Sequence, residues 1–251
     1  VALSGEFVLC LTTMKIGILQ ADAVLPRYQT QFGDYPDMFR ALLGRVAPTL
    51  GFAVYDVQHG HYPSHIDACD AYLITGSKAS VYDPLPWIQA LQDYVVRLHQ
   101  AEKKLIAVCF GHQLVAQALG GCTERSTKGW GVGVHSILVQ QQADWMQPGL
   151  TTYNIVASHQ DQVTRLPPEA TLIAGSDFCP NGMFQIGHHI ITIQGHPEFS
   201  KDYAKAMLQN RREKIGPDKF EQAIQSWNKP LDAATIAAWF VEFIQTDNKA
   251  A

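Results

Sequence analysis

KLIAVCFGHQLVAQALGG, from Lys104 to Gly121, decides the fold. Apolar residues from Leu105 run into a thiol at Cys109. Gly111 follows two residues later, and apolar residues then recur at helical spacing. A short continuous apolar run reads as a strand buried on both faces, the kind found in parallel sheets. Gly111 lets the chain turn tightly into the helix. In a doubly wound sheet, sites form outside the carboxyl ends of the strands, and Cys109 stands at such an end. Most buried cysteines are inert small hydrophobes, so position is what singles this one out. The helix points its positive end at the sulfur, which favours thiolate. The backbone N–H of Phe110 sits where an oxyanion would develop, the logic of a nucleophile elbow.

Outward from this stretch, strands and helices alternate. KIGILQ (Lys15–Gln20) reads as a buried strand. Asp34–Gly51 has a helical apolar period, a start signal at Asp34 and a glycine stop. Phe52–Val57 and Ala71–Thr75 read as strands. Trp87–Lys103 reads as an amphipathic helix with Ile88, Leu91, Val95 and Leu98 on one face. Such alternation implies right-handed crossovers and a parallel sheet covered on both faces. The second half is richer in strands: GVGVHSILVQ, YNIVAS, TLIAGS, MFQIG and HIITIQG follow at short intervals. Some of these extend the sheet, with an antiparallel part at one edge. Lys201–Asn248 reads as helices, clearest at Leu231–Gln245, with Asp232 as N-cap. The predicted class is α/β, a mostly parallel doubly wound sheet with helices on both faces.

The chain has 251 residues, 47% of them apolar, enough for one sizeable core. No repeat, linker or low-complexity tract divides it, so residues 14–251 are expected to form a single domain. Val1–Thr13 is apolar but lacks the basic start of a signal peptide; it reads as a vector-derived or upstream extension before a natural start at Met14. A net charge of −4 disfavours nucleic-acid and membrane-surface binding, which leaves small molecules or another protein as partners. No apolar run is long enough to span a bilayer. Five widely spaced cysteines without a CxxC argue against a disulfide framework and a structural zinc site, and fit a reducing, cytoplasmic setting.

A nucleophile needs a base, and the base needs an orienting group. Of the ten histidines, His196 lies in ITIQGHPEFS, just past a predicted strand end. Pro197 stiffens the link. Glu198, two residues on, can hold the imidazole in one tautomer while its other nitrogen faces the thiol. The order Cys, His, Glu disfavours an α/β-hydrolase, in which the acid precedes the histidine.

Four segments, LITGSKASVYD, AVCFGHQLVAQALGG, ASHQDQVTRLP and ITIQGHPEF, lie in the order found in one family. On these segments the sequence resembles the class I glutamine amidotransferases, whose glutaminase domains carry a Cys-His-Glu triad. It is most similar to free-standing members close to the glutaminase half of GMP synthase. The resemblance runs from about Lys15 to Phe199. It implies a flavodoxin-like sheet with extra strands in the second half and C-terminal helices. It also implies roles: Cys109 as nucleophile, His196 as base and Glu198 as orienter. Phe110 N–H would be one oxyanion donor and the backbone of Gly76 or Ser77 the second. Gln113 would help hold glutamine, and the backbone around Ser158, Gln160 and Asp161 would bind its α-amino and α-carboxylate groups. Two departures stand out. Ala107 replaces a glycine common two residues before the cysteine, and Gly76-Ser77-Lys78 replaces a common Gly-Gly-Pro. The Gly-to-Ser change keeps the N–H but leaves the second donor open.

The chemistry so implied is amide hydrolysis through a γ-glutamyl thioester, releasing ammonia and glutamate, with no metal or other cofactor. No GxxxxGK loop followed by Ser or Thr occurs, and little chain follows Phe199. The expectation is therefore a free-standing glutaminase or γ-glutamyl hydrolase, with a γ-glutamyl peptidase among the alternatives. A glutaminase subunit silent until a synthetase partner binds is a further one. A non-enzymatic descendant is disfavoured by the complete triad.

Other features read more plainly. His59, His61 and His65 lie close together, but no cysteine or carboxylate cluster accompanies them, so a solvated loop outweighs a metal site. In Lys128–Val134 the glycines do not suit a dinucleotide site. Either Trp130 and Gly131 line the pocket, or the glycines serve close approach of a strand. His188 and His189 face opposite ways on an extended chain and read as structural. The charged run Asn210–Gly216 reads as a solvated helix face or, alternatively, a docking surface.

Overall fold

The computed structural model describes residues 14–246; the extension expected at Val1–Thr13 lies outside the described residues. The first half runs β1 (Lys15–Gln20), α1 (Pro26–Phe32), α2 (Tyr35–Gly44), β2 (Gly51–Asp56), β3 (Ala71–Ile74), α3 (Pro86–Gln100), β4 (Lys104–Val108) and α4 (Phe110–Ala118). Seven strands follow: β5 (Cys122–Arg125), β6 (Gly131–Val139), β7 (Thr152–His159), β8 (Asp161–Arg165), β9 (Ala170–Gly175), β10 (Met183–Ile186) and β11 (Ile190–Ile193). Then come α5 (Lys201–Asn210), α6 (Arg212–Ile215), α7 (Pro217–Ser226) and α8 (Ala233–Gln245).

Nine strands form one sheet in the order β2-β1-β3-β4-β11-β10-β9-β6-β7. The first five are parallel. The antiparallel part lies at one side, as expected, and takes in β10, β9, β6 and β7. β5 and β8 pair apart from it as a short antiparallel ribbon. This ribbon and α1 are absent from the sequence reading. α1 buries no residue and so carries no core periodicity.

β4 shows how the sequence covers both faces. Successive side chains of a strand point to opposite sides. Ile106 and Val108 enter a core with Phe39 and Leu43 of α2 and Phe240 of α8. Leu105 and Ala107 enter the opposite core, with Leu91 and Val95 of α3 and Leu114 of α4. All five β4 residues are buried, and burial of a side chain such as Ile106 contributes ~1.5–3 kcal/mol. The Ala107 methyl sits in this packed layer, so the departure from glycine is accommodated there. A third core joins Val132, Val134 and Val156 to Phe199, Tyr203 and Ala223 beneath α5 and α7.

Two boundaries differ from the sequence reading. α2 starts at the Asp34 capping box, as expected, but stops at Gly44 rather than Gly51. Pro48 cannot continue a helix, and Gly51 instead opens β2 beside Lys15. Asp232 holds the N-cap position of α8 but makes no side-chain cap. Its carboxylate accepts the Asn154 N–H at 2.7 Å, tying α8 to β7.

Candidate active site

Parallel strands end on the same edge of a sheet, and register sets how close their ends come. Ile74 pairs with Ala107 and Ile193 with Val108. The residues just past β3, β4 and β11 therefore emerge together. These are Gly76, Cys109 and His196.

Cys109 is buried, with φ 52° and ψ −100°. Positive φ at a non-glycine residue is strained and held only where its surroundings insist on it. Here the insistence comes from the fully buried β4 on one side and α4 on the other. Gly111 makes the turn possible: a Cβ there would lie 2.9 Å from the Ile74 backbone oxygen. Phe110 opens α4, so its N–H has no partner within the helix.

His196 is fixed from three sides. Its N–H donates to Val156 O at 2.8 Å. Its Nδ1 lies 2.8 Å from Glu198 Oε1, and the Glu198 side chain is wholly buried. Its ring stacks on Phe199 at 3.9 Å and 8°. Cys109 stands close enough to the same ring for its charge to act on it. Burial alone would drive the proton off this histidine. The charge of Cys109 and then that of Glu198 outweigh burial, and the pKa is raised to about 10. The ring thus keeps its proton across neutral pH. His112 and His159 show the opposite case. Both are buried with no such partners, and desolvation lowers each to about 3.

The turn after β3 lies against both groups. A Cβ on Gly76 would fall 3.0 Å from His196 Cε1 and 3.6 Å from Cys109 Cβ. Most N–H groups of this turn are taken: Thr75 donates to Leu19 O, Lys78 to Asp22 Oδ2 at 2.9 Å, and Ala79 to Ser77 Oγ. Those of Gly76 and Ser77 have no acceptor among the described residues. Asp22 also pairs with Lys78 Nζ at 3.0 Å. The departure at Lys78 is therefore compensated, because the N–H that a proline would lack is held by a buried carboxylate. Asp22 escaped the sequence reading, although it closely follows the β1 strand and so lies at the same edge of the sheet.

The cleft above Cys109 has a volume of about 340 Å³, and Ser77, Gln113, Ser158, Gln160 and Asp161 all line it. Gln113 is anchored rather than free: its Nε2 donates to Asp161 O at 2.8 Å and to Gln194 Oε1 at 3.0 Å. Asp161 Oδ2 accepts from Ser80 Oγ at 2.5 Å. Trp130 lines the cleft, whereas a Cβ on Gly131 would collide with the Phe178 ring. Each of the two readings of that segment thus holds for one residue.

The charged run at Asn210–Gly216 is a mostly solvated face, as expected, with Arg212, Glu213 and Lys214 exposed, but one side of it borders the cleft. Arg211 and Lys214 line the cleft. Arg211 Nη1 donates to Ser158 Oγ at 2.8 Å, and its guanidinium lies 5.5 Å from the Trp130 ring centre. Packing of the α5–α6 segment over β6 and β7 buries Ile215 and half-buries Arg211 at the cleft, while Arg212, Glu213 and Lys214 stay exposed. His59, by contrast, is exposed and pairs with Asp56, and the described residues contain no cluster of three or more His, Cys, Asp or Glu placed to hold a metal ion. No helix among them is long and apolar enough to cross a membrane.

A strand-end thiol beside a carboxylate-held imidazole on a doubly wound sheet defines a class of α/β enzymes with a cysteine elbow. The glutamine amidotransferase class-I family matches residues 34–214, and the chain belongs to that family. Gamma-glutamyl peptidase 3 of Arabidopsis thaliana is 32% identical over 179 residues, 68% of this chain and 71% of that one. A glutamine amidotransferase-like protein of Schizosaccharomyces pombe is 30% identical over 91% of this chain and 98% of its own. A glutamine amidotransferase structure from Thermotoga maritima superposes with a TM-score of 0.71 at 16% identity, over 93% of this chain and 99% of that one. The last similarity speaks to the fold.

Proposed function

We propose that this protein hydrolyses the γ-amide of glutamine or of another γ-glutamyl compound through a thioester on Cys109. The observation that carries the reading is a thiol at a strained strand end beside an imidazole that Glu198 holds at 2.8 Å. The thiolate attacks the carboxamide carbon. Negative charge moves to the amide oxygen, where the N–H of Phe110 and that of Gly76 or Ser77 receive it. The C–N bond breaks as the His196 imidazolium gives its proton to the departing amine. A γ-glutamyl thioester remains. Neutral His196 then takes a proton from water, hydroxide attacks the thioester, and glutamate leaves as the thiolate is restored.

Gln113, Ser158, Gln160 and Asp161 hold the α-amino and α-carboxylate end. Similarity to a chain named as a γ-glutamyl peptidase supports amides larger than glutamine as substrates. A synthetase partner that takes up the ammonia is the alternative use of the same chemistry. Four unpaired cysteines among the described residues suit the reducing, cytoplasmic setting proposed.

The test uses purified protein with L-glutamine and with γ-glutamyl peptides, following glutamate and the released amine beside Cys109→Ala. Glutamate released by the parent and not by the variant, with a γ-glutamyl adduct on Cys109 in the intact mass, is the expected result. Equal release by both would remove Cys109 from the reaction.

A further inference from the structure

The glycines of KGWGVGV bring two neighbours onto β6. A Cβ on Gly131 would collide with the Phe178 ring, and one on Gly133 would meet Ala223 Cα of α7 at 2.9 Å. Without those side chains, Phe178 and α7 both approach the strand closely. A cavity of about 240 Å³ opens where they meet it. Its lining differs from that of the cleft over Cys109 except at Trp130, which serves both.

The walls are aromatic and aliphatic, from Trp130, Val132, Val134 and Phe178. The polar groups come chiefly from one face of α7, where Lys219, Gln222 and Ser226 follow at helical spacing. Ser226 is already engaged: its Oγ accepts the Val134 N–H at 2.8 Å and donates to Ala223 O at 2.6 Å. Lys219, in contrast, is half-buried with no ion-pair partner among the described residues, and its Nζ stands 5.5 Å from the centre of the Phe178 ring. No acidic side chain lines the cavity. Burial, and with it the charges of Lys229 and Lys219, lowers the His135 pKa, so that ring stays neutral at pH 7. The cavity thus carries one cation, two large ring systems and no anion. A cation partly withdrawn from water and lacking a counterion draws an anionic ligand, and ring walls favour a planar one.

We propose that this cavity is a second binding site, which takes a small aromatic carboxylate with its ring against Trp130 and Phe178 and its charge on Lys219. The site needs none of the thioester chemistry. It borders the cleft all the same, because Trp130 lines both and the Phe178 ring packs T-shaped against His159 of the cleft at 5.9 Å. The cleft has cations of its own, Arg211 among them, so the test must tell the two sets apart.

The probe is benzoate, compared by calorimetry with benzamide, which keeps the ring and loses the charge. Benzoate should bind the parent with a Kd on the order of 1 mM, the range of a ligand of about nine heavy atoms. At low salt it should bind roughly 3- to 10-fold more tightly than benzamide, the range of one partly screened charge contact. Lys219→Gln should reduce benzoate to the level of benzamide, and Phe178→Leu should weaken both. Arg211→Gln should leave both unchanged. Equal binding of benzoate and benzamide by the parent, or no saturable binding of benzoate, would overturn the site. So would a preference that disappears in Arg211→Gln and survives in Lys219→Gln, which would put the benzoate in the cleft. Glutamate release is a separate readout, so failure of the proposed hydrolysis would leave this result standing, and failure here would leave the hydrolysis standing.

Discussion

Cys109 and His196 stand at the ends of β4 and β11, two strands buried along their whole length. Arg211 and Lys214 stand on a helical segment laid over the antiparallel strands, and Lys214 is open to solvent. The floor of the cleft and its outer wall thus differ in what fixes them. On the floor, sheet register sets the distances, and a side chain displaced there must move a core. On the wall, a helix end and one aromatic ring set the position, and a change there is local. The difference teaches how each position is secured: Cys109 and His196 by strands buried on both faces, Arg211 and Lys214 by the later helices.

The comparison breaks most sharply at Cys109. Cys109→Ala should lower kcat by at least ~10⁴-fold without moving the urea midpoint far, since the side chain shrinks by one atom. Glu198→Gln should follow, with a loss of roughly 10³-fold, because the amide NH2 can donate to Nδ1 and hold the imidazole in the wrong tautomer. Folding should be touched next. Gly111→Ala forces a methyl against the Ile74 backbone and should destabilise by about 1–3 kcal/mol, read as a lower urea midpoint.

The buried histidines give a subtler test, through pH. His196 is raised to about 10 from an ordinary 6.5, so its stabilising contribution is complete below pH 6.5 and is lost as pH rises through 10. His112 and His159 are lowered to about 3 by burial. Each contributes above pH 6.5 and loses that contribution as pH falls toward 3. Urea midpoints across pH should therefore drop on both limbs. His196→Gln should flatten the alkaline limb and His112→Gln the acid one; the reverse pattern would contradict the assignment. The smallest effect belongs to the wall, where Lys214→Gln should leave the urea midpoint nearly unchanged, within ~0.5 kcal/mol of stability.

The same contrast governs what the sequence discloses. The elbow and the His196-Pro197-Glu198 turn are local: a strand, a break and the polar residues follow one another in the chain, so pattern alone brings them out. The alternation of strands and helices likewise carries the doubly wound sheet. Asp22 and Gln194 are harder, because one polar residue after a strand looks like any loop. Arg211 and Lys214 are harder still. A charged run on a short helix has the same pattern whether it faces water or a cleft, and only the packing of α5 and α6 over β6 and β7 decides. α2 shows a related limit: Gly44 and Gly51 are both plausible stops, and the pairing of Gly51 with Lys15 makes the choice.

The backbone at Cys109 sets durability against work. A residue held at φ 52° costs the folded state on the order of 1–3 kcal/mol, and glycine would adopt the same angle almost freely. Selection for heat resistance alone would therefore drift toward glycine at 109 and yield a sturdier, inert protein. Under the function proposed above, the thiol is kept at 109 at a cost to the fold that glycine would not incur.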